Sequence, residues 1–474
     1  MTVKLKFIYD QVKSMKLAKF TSGQKKRRWW LLLVFLLLLR PTGVAAEGQA
    51  PEARMILLNL ARVDFSDLTA ASCPNFRWLL ANGGVGLVST RIEGALTPEK
   101  VYTTLSSGRD LLLSSAAFAT DQGLIGSALH RAGKKTALLG NSDLPWKANQ
   151  YIRLMLADRQ GKIDWELAGR ELFLTDHEFP FRYRTDYRLL ADEIYRLLPV
   201  AHLVMVSPGD LDRLEGYRRM LSDERFARLR RESLQRIDAL VGKLLAGLPE
   251  GTALCLLLTG PSSLATGGDP FLPLLVYEKK GKAGILSSRS TRKKGLLTMG
   301  DFTAGLLSYL TGKNQEIESL LTIEPGDWQE LMAKRDDWLS NLAQRKIILR
   351  FYIGLVLFFS VLAILSPFIS RSKLTLSMQS ILPGLAAFPL TLMLVAPFRL
   401  RNIVLLSFLL AGGMASLWLL YRKIGRTTLQ AYRWLLISTA ALILLDLGSG
   451  GGLMGASLLG PSPVLGARFY GLGN

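Results

Sequence analysis

The 474-residue chain has only two cysteines and three histidines, and residues 345–474 hold a single acidic side chain. Each scarcity excludes something. Two cysteines, Cys73 and Cys255, cannot staple a disulfide scaffold or build a cysteine-rich zinc module. Three histidines (His130, His177 and His202) leave very little for a histidine-built metal site. The shortage of acid is uneven along the chain. Residues 1–46 carry a net +9, residues 47–344 a net +1 and residues 345–474 a net +11, within a total of +21. A nucleic-acid-binding domain carries its positive excess on the folded domain itself. Here the excess flanks apolar runs while the long middle is balanced. That distribution excludes nucleic acid as a partner and points to membrane lipids, whose anionic headgroups attract basic residues beside spans. No P-loop, dinucleotide fingerprint or His-Glu zinc motif is present. With 49% hydrophobic residues and a mean hydropathy of +0.23, the chain is too apolar to be disordered.

Lys25-Lys26-Arg27-Arg28 precedes an apolar run from Trp29 to Leu39, which Arg40-Pro41 ends, and Val44-Ala45-Ala46 follows. The order basic, apolar, small is that of a signal peptide, while the long basic leader fits an uncleaved signal anchor equally well. In either case residues 47–344 are expected to be extracytoplasmic. Four further apolar segments follow Arg345-Lys346, at roughly 347–369, 374–397, 402–421 and 434–459. Each can cross a hydrocarbon core of about 30 Å. The loops bearing Arg371 and Lys373, and Arg422, Lys423, Arg426 and Arg433, then fall inside, and Arg399 and Arg401 fall outside, as the positive-inside rule requires. Pro383, Pro389, Pro397 and the nine glycines from Gly448 onward are expected to kink or interrupt helices. The apolar end at Phe469–Asn474 leads to the expectation of further spans beyond it. The expected arrangement is therefore a leader (1–46), an exported domain (47–344) and a multi-pass domain of the cytoplasmic membrane (345–474). Asp446 either faces other helices or a cavity, with Arg468 as partner, or ends its helix at the surface.

Within 47–344, Met55–Leu60, Val85–Ile92, Thr136–Gly140, His202–Ser207, Ala253–Thr259 and Leu272–Tyr277 are short apolar runs that suit strands buried on both faces. A helical pattern runs from Asp223 through Phe226, Leu229, Ile237, Leu240, Val241 and Leu244, and Gly247 and Pro249 end it. Alternation of this kind predicts an α/β domain with a largely parallel sheet, beside an α-helical transmembrane bundle.

Four pieces, in order, resemble the alkaline-phosphatase-like superfamily over roughly residues 54–312. They are Met55–Leu60 with Asp64–Leu68, Cys73–Gly84, Thr103–Arg109, and Gly284–Leu297 with Asp301–Leu307. The resemblance implies a parallel-sheet fold and, in active members, two metal ions that clamp a phosphoryl group and activate a Thr or Ser nucleophile. It places the first metal-binding Asp and its following Gly on Ala61 and Arg62, and the nucleophile on Pro98, with Thr97 the nearest hydroxyl. Thr97 reads first as a helix cap ahead of a first-turn proline. The middle ligand pair falls near Asp210, Asp212 and Tyr217. Asp210, Asp212 and Glu215 offer oxygens for one hard cation, or else form a polar loop. The family's Asp-His-Gly falls on Thr259-Gly260-Pro261, and its last His near Gly267-Gly268-Asp269. Asp64 and Asp67 read as helix-start carboxylates.

The resulting expectation is a catalytically degenerate domain, without cofactor, that binds or scaffolds. Arg62, Lys100, Asp210 and Asp212 are the candidate ligand-binding residues, and a phosphorylated envelope ligand or a partner protein the candidate partner. Two alternatives stand beside it. One is an active phosphohydrolase or phosphotransferase using Zn, Mn or Mg with displaced ligands and Thr97 as nucleophile. The other is a transporter or lipid-handling membrane domain that the exported domain regulates.

Overall fold

The structure, a computed structural model, describes residues 52–90, 98–107, 123–145, 151–260, 269–312, 321–365, 381 and 384–464. Residues 1–46, Thr97, Pro261, Gly267, Gly268, Arg371, Lys373, Pro383, Arg468 and 469–474 lie outside them. The described elements lie in one compact unit, Ala53–Asn474. It opens with β1 (Arg54–Leu60), α1 (Phe65–Leu68), α2 (Pro74–Asn82), β2 (Gly84–Ser89), α3 (Pro98–Ser107), α4 (Leu124–Arg131), β3 (Thr136–Leu139), α5 (Tyr151–Leu156) and β4 (Trp165–Leu167). Next come β5 (Phe173–Thr175), β6 (Tyr183–Thr185), α6 (Tyr187–Leu197), β7 (Leu203–Val206), α7 (Asp210–Gly216), α8 (Asp223–Gly247) and β8 (Thr252–Leu258). β9 (Phe271–Tyr277), β10 (Gly284–Ser288), β11 (Leu296–Thr298), α9 (Met299–Thr311) and β12 (Leu321–Glu324) complete the α/β part.

The six expected strands all form, within two or three residues of their expected ends. They join one ten-stranded sheet in the order β12-β10-β2-β9-β8-β1-β7-β3-β4, with β11 also on β2. Only β9 and β12 run against the rest. β1 lies between two parallel neighbours, with Leu58 opposite Val206 of β7 and Leu256 of β8. Its side chains alternate between two cores: Ile56, Leu58 and Leu60 pack on one face, Met55 and Leu57 on the other. That two-sided burial is why the strand reads as an unbroken apolar run. α8 covers one face. Ser222 caps it by accepting from the Arg225 N–H, and its buried Asp238 in turn accepts from the Asn75 and Phe76 N–H groups at the start of α2 (3.2 and 2.7 Å).

The membrane part comprises α10 (Trp328–Leu365), α11 (Phe388–Val395), α12 (Ile403–Ile424), α13 (Thr428–Gly448) and α14 (Gly452–Ala456). Three of these, α10, α12 and α13, are long and apolar enough to cross a membrane. α10 is continuous for 38 residues, so the junction expected at 344/345 falls inside one helix. Its first half packs on the α/β part, Trp328 against Phe65 and Trp338 against Phe271 with ring centroids 5.7 and 5.6 Å apart. α13 starts before the expected residue 434 and stops at Gly448. Gly450 and Gly451 take left-handed φ of +103° and +76° there, which halts the helix. Asp446, in the last turn of α13, is buried and accepts the N–H groups of Leu453 and Met454, both at 2.8 Å. Arg468, its other expected partner, lies outside the described residues.

Candidate functional site

In open α/β sheets the ligand crevice lies beyond the carboxyl ends of the parallel strands. Here the three central strands each end in a neutral polar residue: Asn59 on β1, Ser207 after β7 and Thr259 after β8. α3 brings the Tyr102 hydroxyl among them. Asn59 Nδ2 donates to Tyr102 Oη at 2.7 Å and to Ser207 Oγ at 3.3 Å, and Thr259 Oγ1 donates to Asn59 Oδ1 at 2.7 Å. Tyr102 Oη and Thr259 Oγ1 are 3.1 Å apart. All four residues are buried. Burial, and after it the negative charge of Asp212, push the Tyr102 hydroxyl up to about 12, so it stays protonated and serves as a hydrogen-bonding group.

Arg62 and Asp212 lie beside this network and meet, Nε to Oδ1, at 3.4 Å. Burial raises the Asp212 carboxyl, and the Arg62 guanidinium pulls it back down. Arg62 has φ +63°, the left-handed region that glycine favours, and it stands where the resemblance places a glycine. Arg230 of α8 holds this turn, donating to the Arg62 carbonyl at 2.9 Å and to Asp67 at 2.5 Å. Asp64 caps α1, and its N–H donates to the Asp67 carboxylate at 2.7 Å, so both acids start a helix.

Asp210 and Asp212 are not brought together. The expected polar loop is helix α7, and a spacing of two residues at 3.6 per turn turns their side chains to different faces. Asp210 is fully buried: its Oδ1 accepts from Thr185 N (2.8 Å), Thr185 Oγ1 (2.9 Å) and Arg213 (2.6 Å). The Arg213 guanidinium also lies 4.7 Å from the Phe173 ring centroid. Lys100 is exposed on the first turn of α3, and its carbonyl accepts from Thr104 Oγ1 at 2.7 Å. His177 is exposed in the turn between β5 and β6, and His202 Nδ1 accepts from the Lys135 N–H at 3.1 Å. His130 lies between Asp158 (2.9 Å) and Asp164 (3.1 Å), in the α4–β3 region. Cys73 and Cys255 are free, buried thiols, and burial raises both above the usual thiol range.

No protein-family model and no curated protein matches the chain. Solved structures do resemble it. A protein in the alkaline phosphatase superfamily from Vibrio parahaemolyticus is 10% identical, with a TM-score of 0.39, over 55% of this chain and 66% of that one. The lipoteichoic acid synthase LtaP from Listeria monocytogenes is 11% identical (TM-score 0.40, 57% of this chain and 74% of that one). The integral membrane lipooligosaccharide phosphoethanolamine transferase EptA from Neisseria meningitidis is 10% identical (TM-score 0.40, 59% and 58%). The chain thus spans less than two thirds of the length of the Vibrio and Neisseria proteins. Likeness at this level concerns fold alone.

Sequence reasoning singled out Arg62 and Asp212 but missed the network of Asn59, Tyr102, Ser207 and Thr259. The available signal was a polar residue closing each buried apolar run, at Asn59, Ser207 and Thr259.

Proposed function

We propose that this chain is a membrane-anchored binding or scaffolding protein whose alkaline-phosphatase-like domain faces outside the cytoplasmic membrane and does not hydrolyse phosphate esters. One observation carries the reading: the strand ends hold a closed, neutral hydrogen-bond network, and the described carboxylates around it already face arginines, Asp212 facing Arg62, Asp64 and Asp67 facing Arg230, and Asp269 facing Arg335. A dimetal phosphoryl-transfer centre needs several carboxylate and imidazole ligands converging on two cations. The described side chains at this place are an amide, two hydroxyls, a phenol and Asp212, which already faces Arg62. Asp210 is turned inward onto Arg213. That donor set does not fit two divalent ions. Arg62, whose side chain is 34% exposed, suits a phosphorylated envelope ligand, because a guanidinium binds an anion without activating a nucleophile. The test is the metal content of the purified full chain after dialysis. The expected result is zinc and manganese well below one ion per chain. Stoichiometric metal that resists dialysis overturns the reading.

A further inference from the structure

Where α10 enters its apolar half, a crevice of about 200 Å³ opens between α10, residues 399–401 and α14. Lys334, Asp337 and Asn341 line it from α10, and Arg399 and Arg401 from the opposite wall. Gln344 fastens that wall by donating to the carbonyls of Leu400 (3.0 Å) and Arg401 (2.8 Å). One carboxylate serves two guanidiniums: Asp337 is 2.9 Å from Arg401 and 3.4 Å from Arg399. Lys334 lies one turn earlier on α10, and among the described residues no acid is paired with it. The crevice therefore holds three cations against one anion. Arg399 takes a left-handed φ of +45°, a costly backbone for an arginine.

The crevice sits at the apolar boundary. Ile347 and Phe351 of α10 and Val404 and Phe408 of α12 are 60%, 68%, 59% and 72% exposed, beginning within one turn of Arg345 and Arg401. Positions 334, 337, 338, 341, 345, 348, 352 and 355 recur at three and four residues, so they form one stripe down α10. The same stripe lines an apolar groove of about 900 Å³ between α10 and α12, walled by Ile348, Tyr352, Leu355, Phe408 and Trp418. Lys293, which burial pushes down to about 8, lies over Trp338 at 6.0 Å from its ring centroid in the adjoining hollow with Arg345.

We infer that crevice and groove together hold one anionic phospholipid of the leaflet beside the α/β domain. Its headgroup phosphate sits among Lys334, Arg399 and Arg401, and an acyl chain lies in the groove. The chemistry recognised is a phosphate monoanion or dianion, and the groove distinguishes a lipid from free phosphate. The test uses the full chain, delipidated in detergent and titrated with phosphatidylglycerol, phosphatidylcholine and inorganic phosphate, with native mass spectrometry as readout. Saturable, phosphatidylglycerol-selective binding is expected. Lys334→Gln should weaken it about fivefold, from roughly 1 kcal/mol per basic residue near a lipid surface. Asp337→Asn should tighten it by a similar factor, because it releases both guanidiniums; a purely structural ion pair predicts no such gain. Ala411→Trp, which fills the groove, should weaken lipid binding. Thermal melting checks that each variant is folded, and the opposite sign of Asp337→Asn keeps the test open if another variant is not. Affinity unchanged by both charge variants, or phosphatidylcholine bound as tightly, overturns the proposal. Inorganic phosphate saturating the crevice while phosphatidylglycerol does not compete overturns the lipid assignment.

Discussion

Replacing Asp210 by Asn should damage the fold far more than the same change at Asp212, although the two residues are separated by one position on the same helix. Asp210 and Arg213 are both without exposure, and their contact is 2.6 Å. Asp210→Asn leaves the guanidinium buried with Asn141 and Thr185 oxygens at 2.7 and 2.9 Å, and with no countercharge. Removing one partner of a buried pair costs about 3–5 kcal/mol. The Arg62–Asp212 contact is longer, at 3.4 Å, and Arg62 is 34% exposed. Such pairs are worth about 0–1 kcal/mol. Burial also raises the Asp212 carboxyl, so its neutral replacement relieves part of that desolvation. Thermal unfolding of the full chain in detergent, followed by tryptophan fluorescence, measures both. For a domain of this size about 1 kcal/mol moves Tm by about 2–4 °C. Asp210→Asn should lower the midpoint by about 6 °C or more, and Asp212→Asn by less than about 4 °C. Equal shifts, or a larger one at Asp212, refute the division of roles along α7.

Tyr102→Phe removes the hydroxyl joining Asn59 and Thr259, which remain bonded to each other at 2.7 Å, so the loss should be about 1 kcal/mol in a thermal melt. Lys293 sets a pH dependence. Burial lowers it from 10.5 to about 8, so between those values the unfolded chain binds a proton that the folded chain has released. Stability of the native chain relative to Lys293→Met should therefore rise from about pH 8 to about 10.5, and a falling difference would contradict the burial of that ammonium. Reporter fusions near residue 200 should report an extracytoplasmic position and fusions near Arg426 a cytoplasmic one. The reverse pattern overturns the orientation.

The strands that were legible in the sequence are those buried on both faces. β4, β5, β6 and β12 are three or four residues long and partly exposed, so no apolar run announced them. The continuity of α10 was hidden because its first half is amphipathic, with Lys334, Arg335, Asp336 and Asp337 in succession, and only its second half is apolar. The fate of Asp210 was hidden for another reason. Its partner Thr185 lies 25 positions away, and three acids within six residues look alike until the helix turns them apart. Arg62, which the resemblance sets on a glycine position, takes a positive φ, a backbone that its charge alone did not announce.

The central claim is tested most directly by turnover. The purified full chain should be assayed with aryl phosphate monoesters and diesters, with added Zn²⁺, Mn²⁺ or Mg²⁺, beside Thr97→Ala. Loss of even one electrostatic partner of a developing oxyanion costs about 10²–10³-fold in rate, and the described carboxylates around the strand ends already face arginines: Asp212 faces Arg62, Asp64 and Asp67 face Arg230, and Asp269 faces Arg335. The account predicts no metal-dependent turnover above that of Thr97→Ala. Metal-dependent hydrolysis that disappears in Thr97→Ala would contradict it and establish an active phosphohydrolase.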